Sequence, residues 1–185
     1  MHTEIEAKLK VDSLQEVERR LADVGAEFVE EQLQTDTYFD NPEAALKSGD
    51  RALRLRQQRT GQKEKTFLTY KGPKQKDDFK KRQEIEIEIG DGDSTEELLL
   101  ALGYEKALVF EKKRRAWHLV DCVICLDELP LLGSFVEIEG PDGKSIAEVQ
   151  KKLGMSDLTH VVESYACLMQ QKLRQLGKEQ RQVLL

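Results

Sequence analysis

Apolar and charged residues alternate one by one from the start of the chain. In Glu4-Ile5-Glu6-Ala7-Lys8-Leu9-Lys10-Val11 the even positions are charged and the odd positions are apolar. A strand points successive side chains to opposite faces, so this run predicts one oily face and one face carrying carboxylates and ammonium groups. The pattern returns at Leu53-Arg54-Leu55-Arg56, at Glu84-Ile85-Glu86-Ile87-Glu88-Ile89, around Lys112 to Arg114, and at Val136-Glu137-Ile138-Glu139. Strands are predicted over about 3–11, 26–39, 52–59, 66–71, 83–89, 104–119, 121–126 and 135–139.

Between the strands the period becomes helical. Asp12 or Ser13 caps a helix, with Glu16 placed for a capping box, a stripe of Leu14, Val17, Leu21 and Val24, and Gly25 as its stop. A short helical segment is predicted over 42–48. Another helix runs from Asp93 or Ser94 to Leu102, stopped by Gly103, and another over 144–153, ended by Gly154. A last helix begins near 158–162, and its polar end, about 170–182, is free to fray or to pack on a partner such as a second copy in a homodimer. Residues 72–81 hold Lys74, Lys76, Lys80 and Lys81 with Asp77 and Asp78, and read as a solvated loop. The two aspartates argue against a nucleic-acid patch.

Glu-Ile-Glu occurs at Glu4–Glu6, Glu84–Glu86 and Glu137–Glu139, and the second Glu precedes its stopping glycine by 19, 17 and 15 residues. A charged strand followed by a covering helix is thus a repeated unit. Helices laid on the apolar faces leave the charged faces pointing the other way. Eight or so antiparallel strands can then close with their charges inside, polar within and helix-covered without. The expected class is α+β: a closed antiparallel eight-stranded β-barrel, a tunnel, with helices packed outside. Ile5, Leu53, Leu55, Ile85, Ile87, Val136 and Ile138 are expected beneath those helices. By alternation Lys113 and Arg115 face outward.

Length and composition narrow this picture. A chain of 185 residues suits one domain with a proper core. The charged fraction is 35%, above the usual quarter, yet the net charge is only −6, so the excess is of both signs and favours neither nucleic acid nor a membrane surface. No apolar run approaches a membrane span and no signal pattern opens the chain, which predicts a cytoplasmic protein. Three cysteines argue against a disulfide scaffold. Cys122 and Cys125 form a single CxxC whose spacing in a strand turns them to opposite faces, and no second pair completes a zinc site.

The solvated face of an open sheet would account for the charges of any one strand. The set is harder to explain that way, because Glu84, Glu86 and Glu88 stack like charges, as do Arg54 and Arg56. Sorted carboxylates can hold a hard divalent ion, Mg²⁺ or Mn²⁺, and sorted Arg and Lys can hold phosphate oxygens. No Gly-rich phosphate loop is present. Triphosphate binding, if it occurs, is done by side chains on strands. His2, His118 and His160 have no mutual spacing for a metal site, and Ser134 lacks a nucleophile elbow. Trp117 and Tyr104 read as packing residues, and Tyr38 either packs or stacks on a base.

Glu4-x-Glu6-x-Lys8 resembles the N-terminal signature of the CYTH family, the triphosphate tunnel metalloenzymes. The resemblance runs from Glu4 to about Met169, through Tyr38-Phe39-Asp40, Ala52-Leu53-Arg54-Leu55-Arg56, Tyr70-Lys71-Gly72-Pro73, Arg82-x-Glu84-x-Glu86, Lys112-x-Arg114, Leu126-Asp127 and Leu132-Gly133-Ser134-Phe135-Val136-Glu137-Ile138-Glu139. Several phrases look most like the class IV adenylyl cyclase branch. The resemblance implies a single tunnel domain over residues 1–185, with about 170–185 as a helical extension. It implies that Glu4, Glu6, Asp127, Glu137 and Glu139 serve two Mg²⁺ or Mn²⁺ ions. Lys8, Arg54, Arg56, Lys71, Arg82, Lys112 and Arg114 would bind the triphosphate, Glu84 and Glu86 would also line the tunnel, and Glu88 would belong to it or to its rim. Glu6, Lys8, Lys112 and Glu139 are the catalytic candidates. The implied reaction is formation of cyclic AMP and pyrophosphate from ATP. Hydrolysis of thiamine triphosphate, inorganic triphosphate or a nucleotide is the alternative, and a non-catalytic polyphosphate- or nucleotide-binding module is a third.

Overall fold

The first charged run forms strand β1, His2–Val11, and Ser13 then caps helix α1, Leu14–Asp23, by accepting from the Glu16 backbone N–H at 3.3 Å. This computed structural model describes residues 2–75 and 79–185. The chain continues through β2 (Glu27–Asp40), α2 (Ala45–Ser48), β3 (Ala52–Thr60), β4 (Lys63–Gln75), β5 (Lys80–Ile89) and α3 (Gly92–Ala101). Then come β6 (Glu105–Leu119), β7 (Cys122–Leu129), β8 (Gly133–Glu139), α4 (Gly143–Lys152), α5 (Tyr165–Gln175) and the two-residue β9 (Gln182–Val183). Gly25, Gly103 and Gly154, the stops of the three repeat units, all take the left-handed backbone, with φ of +75°, +87° and +65°. Only glycine adopts that conformation without strain.

Strand order is β2-β3-β4-β5-β1-β8-β7-β6, and β2 pairs back onto β6. All eight pairings are antiparallel, so the sheet closes as a barrel, and β9 adds in parallel to the outer part of β6. Registers such as Glu6↔Glu139, Lys8↔Glu137, Arg54↔Thr69 and Arg114↔Asp127 bring the charged faces together. Full closure removes the unpaired edges that an open sheet would expose.

Three apolar clusters hold the barrel. The largest joins Ala7, Leu9, Ile124, Leu126, Val136 and Ile138 on the outer face to Leu14, Val17 and Leu21 of α1, Ile146 and Val149 of α4, and Leu153 at the C-cap of α4. Leu99 of α3 packs on Phe39 and Leu55. The third cluster differs in kind. Leu108, Phe110, Leu129 and Phe135 lie an even number of positions along their strands from Lys112, Asp127 and Glu137 and therefore face inward. Leu108, Phe110, Leu129 and Phe135 pack on Tyr165, Met169 and Leu173 of α5. Helix α5 thus stoppers one end of the barrel from the inside, whereas the sequence suggested helices only on the outside.

Other expectations need correction. Ile85 and Ile87 are 47% and 52% exposed rather than buried beneath a helix. Helix α3 follows β5 but leans on β3, so the middle of β5 keeps its oily face in water. Ile5 and Leu53 are half-buried, while Leu55, Val136 and Ile138 are buried. The segment read as a loop is largely strand: β4 extends to Gln75 across a register shift between Lys71 and Lys74, and β5 starts at Lys80. The shift falls at Gly72-Pro73, where a bulge accommodates a residue without an N–H. Lys76, Asp77 and Asp78 lie outside the described residues. Helix α3 begins at Gly92 behind the cap Asp91, slightly before Asp93 or Ser94, and α5 begins at Tyr165 behind the cap Ser164, later than 158–162. Beyond Gln175 the chain leaves the helix and ends in β9 rather than continuing helical.

Candidate active site

The inward side chains enclose a cavity of about 780 Å³. Its lining includes Glu4, Glu6, Lys8, Arg54, Arg56, Lys71, Arg82, Glu84, Glu86, Lys112, Arg114, Glu137 and Glu139, so thirteen of the fourteen candidate residues meet in one space. The fourteenth, Asp127, lies just behind the wall with no exposure. Glu88 stands at the rim, exposed and paired with Lys65 at 3.0 Å. Alternation holds at Lys113, which is exposed, and at Arg115, which bonds Glu18 of α1 on the outside.

Opposite charges are interleaved within the barrel. Lys71 bridges Glu84 and Glu4, the latter at 3.6 Å. Lys8 lies 3.3 Å from Glu137 and 3.9 Å from Glu6. Arg114 forks onto Asp127, with Nε 2.6 Å from Oδ1, and also reaches Glu137. Asp127 further accepts from Lys112 at 3.3 Å and from the Tyr165 hydroxyl at 2.9 Å. Its oxygens are therefore occupied by three donors that it holds in place. Among the described residues no three acids are gathered at metal-ligating separations. Glu4, Glu84, Glu137 and Asp127 sit against cations instead.

Two carboxyls show opposite electrostatics. Burial, then the facing Glu4 and Glu6, pushes the Glu139 carboxyl up to about 7. Such a rise marks a carboxylate facing like charge without enough counter-charge. Burial also opposes ionisation of Asp36, but the Arg56 and Arg54 guanidiniums outweigh it and hold that carboxyl well below the ordinary range. Burial, with Arg114 beside it, lowers Lys112 to about 8. Cys125 faces inward and Cys122 lies in the outer core, as their spacing required, and burial pushes the Cys125 thiol up to about 11.

Two buried guanidinium groups are only partly satisfied. Among the described residues the Nε–H groups of Arg54 and Arg82 have no acceptor, although these side chains are 6% and 5% exposed by residue. The Nη2 group of each is engaged, that of Arg54 with Thr69 at 3.1 Å and Glu86 at 3.4 Å, and that of Arg82 with the Asp50 carbonyl and carboxylate. Buried donors rarely go without partners, so each calls for an acceptor that a bound water or anion would supply.

Sequence reasoning missed four residues of the site. Asp36 binds Arg56 through two bonds of 2.6 and 2.7 Å. Its even-numbered place beside Tyr38 was the available signal. Asp50 takes the left-handed backbone at φ +50° and orients Arg82 and Lys74. Thr69 bonds both Arg54 and Glu86. Tyr165 comes from a helix, where strand alternation says nothing. Tyr38, whose role was open between packing and base stacking, lines the cavity and stacks on Phe110 at 5.8 Å. His160 bonds Gln150 and His118 is exposed, neither in the cavity.

A model of the CYTH domain matches residues 2–165. The chain belongs to the CYTH family. Members of this family are metal-dependent enzymes that act on triphosphates. A Methanocaldococcus jannaschii protein provisionally named an adenylate cyclase is 32% identical over 149 residues, which cover 80% of this CYTH chain and 81% of that protein. Adenylate cyclase CyaB of Aeromonas hydrophila is 26% identical over 180 residues, 92% of this chain and 90% of its own. The solved structure of PH1819 from Pyrococcus horikoshii superposes with a TM-score of 0.80 at 32% identity, over 91% of this chain and 99% of that one. A Hippeastrum protein, provisionally named an adenylyl cyclase and described as having a dominant triphosphatase activity, shares the CYTH fold at a TM-score of 0.72 and 18% identity, over 96% and 97% of the two chains.

Proposed function

We propose that this CYTH protein is a divalent-metal-dependent adenylyl cyclase of the class IV type, converting ATP to cyclic AMP and pyrophosphate. The observation that supports a metal–triphosphate ligand is the pair of buried Nε–H groups of Arg54 and Arg82, without acceptors among the described residues, in the same cavity as Glu4, Glu6, Glu137 and Glu139, and the names of the Methanocaldococcus and Aeromonas relatives favour cyclisation. Anion donors and a crowd of acids together fit a metal–triphosphate and fit neither a bare anion nor a bare metal. A non-catalytic polyphosphate binder has little use for the acids.

Arg54, Arg82, Lys8, Lys71 and Lys112 would bind the phosphates, with Arg56 and Arg114 supporting them from their aspartates. Donors already aimed at the phosphates need little reorganisation as charge develops on the leaving group. Hard carboxylate oxygens suit Mg²⁺ or Mn²⁺, and Glu4, Glu6, Glu137 and Glu139 would hold two ions. Bound there, the metal would polarise the phosphate and acidify the ribose hydroxyl. Asp127, its oxygens filled, would orient Lys112 and Arg114 rather than ligate. In the cyclase reaction the 3′-oxygen bonds to the α-phosphorus, the bond to the β-phosphate bridge breaks, and pyrophosphate leaves as the hydroxyl proton is released.

Hydrolysis is the second reading, and the triphosphatase activity described for the Hippeastrum neighbour supports keeping it. The same cavity would then present the terminal phosphorus to water. Product analysis with ATP and with inorganic triphosphate, each with Mg²⁺ and Mn²⁺, separates the readings. Cyclic AMP with pyrophosphate is the expected outcome. Orthophosphate from either substrate would establish the triphosphatase instead, and binding without turnover would leave only a module. Chelation should abolish activity, and undiminished turnover without metal would remove the metal from the proposal.

A further inference from the structure

The cations of the tunnel are not held by acids alone. One aromatic ring, that of Tyr165, touches two of them. Lys8 Nζ lies 4.2 Å from its centroid and Lys112 Nζ 4.9 Å. Both distances are within cation–π range, and such contacts strengthen when the partners are buried. All three residues are, at 6% exposure for Tyr165 and 2% for each lysine. The hydroxyl at the far end of the ring donates to Asp127 Oδ2 at 2.9 Å, the same oxygen that accepts from Lys112. Ring and hydroxyl together thus contact both lysines and the acid that holds one of them.

The tyrosine is itself fixed from three sides. Ser164 caps α5 by accepting from the Cys167 N–H, which sets Tyr165 at the first helical position. Phe135 meets the ring edge-on at 5.2 Å, and Met169 and Leu173 continue the buried stripe one and two turns on. The segment before the helix is stitched to β1: Val161 N–H donates to the Lys8 carbonyl at 2.8 Å, and Lys8 Nζ donates to the Glu163 carbonyl at 3.0 Å. Lys8 and the start of α5 are therefore one rigid unit. A core-filling role would be met by Leu or Phe, and neither needs an acceptor. A buried tyrosine hydroxyl does, and here the acceptor is a site residue.

We infer that Tyr165 is a positioning residue of the triphosphate site, which fixes the ammonium groups of Lys8 and Lys112 through its ring and the Asp127 carboxylate through its hydroxyl. This rests on the reading of the tunnel as a triphosphate site and adds that α5 is part of its machinery. Such a residue acts on ligand affinity through the lysines. A merely structural residue would lower the amount of folded protein and leave the affinity of the folded fraction unchanged.

The test uses the full chain and inorganic tripolyphosphate with Mg²⁺, read by calorimetry and by KM and kcat where there is turnover. Tyr165→Leu should weaken binding about tenfold or more and raise KM in step. Tyr165→Phe, which keeps the ring and its packing, should fall between Leu and the wild type. In a Lys112→Ala background Tyr165→Leu should cost less than in an Arg82→Ala background, since the lysine it serves is already gone. Wild-type affinity in Tyr165→Leu, or equal costs in the two backgrounds, would overturn the inference, and if Tyr165→Leu fails to fold, wild-type affinity in Tyr165→Phe would do so. Binding is measured without turnover, so a protein that binds tripolyphosphate but does not convert ATP to cyclic AMP refutes the proposed reaction and leaves this comparison intact. A wild type that does not bind it overturns both.

Discussion

Asp36 is 1% exposed and persists as an anion because two guanidiniums share it, Arg56 through a fork and Arg54 at 3.9 Å. Removing one member of a buried pair leaves the other charge unpaired in a poorly solvated place, which costs roughly 3–5 kcal/mol. Asp36→Ala should lower unfolding stability by about that amount in urea titrations. An unchanged midpoint would show that the arginines find support elsewhere. Glu139 makes the opposite case. Its carboxyl ordinarily titrates near 4.5 and here near 7. Between those values the folded state binds more protons than the unfolded state, so this group's contribution to stability is full below 4.5 and falls as the pH rises through 7. In metal-free protein, raising the pH from 4.5 to 7 should erode stability more for the wild type than for Glu139→Gln. Equal slopes in the two proteins would place Glu139 among ordinary solvated acids.

Single elements differ in how much of their setting the sequence discloses. In β1, β3, β5 and β8 the alternation is unbroken, and Glu6, Lys8, Arg54, Glu84 and Glu137 all fall on the cavity side as the pattern demanded. The same register turns Lys112 inward and its neighbour out. Lys112→Ala should therefore weaken triphosphate binding about tenfold or more, and Lys113→Ala should not, because a hydrogen bond from a charged group is worth roughly 1.5–3 kcal/mol. The reverse result would shift the register of β6 by one residue. Alternation does not say which oily faces a helix will cover. Ile87 and Ile138 look alike in sequence, but Ile138 is fully buried under α1 and α4 and Ile87 is half exposed. Ile138→Ala should cost about 2–5 kcal/mol and Ile87→Thr within about 0.5 kcal/mol, by thermal or chemical unfolding. Nor could alternation reach Asp50, whose role depends on a left-handed turn, or Tyr165, which belongs to a helix of period 3.6. Coverage and stoppering are decided by loop lengths and long-range packing, and these leave little trace in local pattern.

Across the whole molecule the eight strands hold acids and cations together that would be unstable apart. The pairs Lys71–Glu84, Lys8–Glu137 and Arg114–Asp127 span β4–β5, β1–β8 and β6–β7 respectively, so each ties neighbouring strands through their inner faces. A bound metal–triphosphate would face the same groups from the centre of the barrel, joining strands that are not neighbours. Its phosphates would meet Arg54 on β3 and Arg82 on β5, whose Nε–H groups lack acceptors among the described residues, and its metal would face Glu139 on β8. Ligand binding to the folded state alone stabilises it by about 2.7 kcal/mol at a hundredfold excess over Kd. For a chain of this size each kcal/mol moves Tm by roughly 2–4 °C. Mg²⁺ or Mn²⁺ with a non-hydrolysable ATP analogue should therefore raise Tm by roughly 5–11 °C, more than either component alone, because neither by itself satisfies both the acids and the free donors. Calorimetric melts at matched ionic strength would separate this from general screening. No rise at saturating ligand would mean that the charges inside the barrel serve each other and not a substrate.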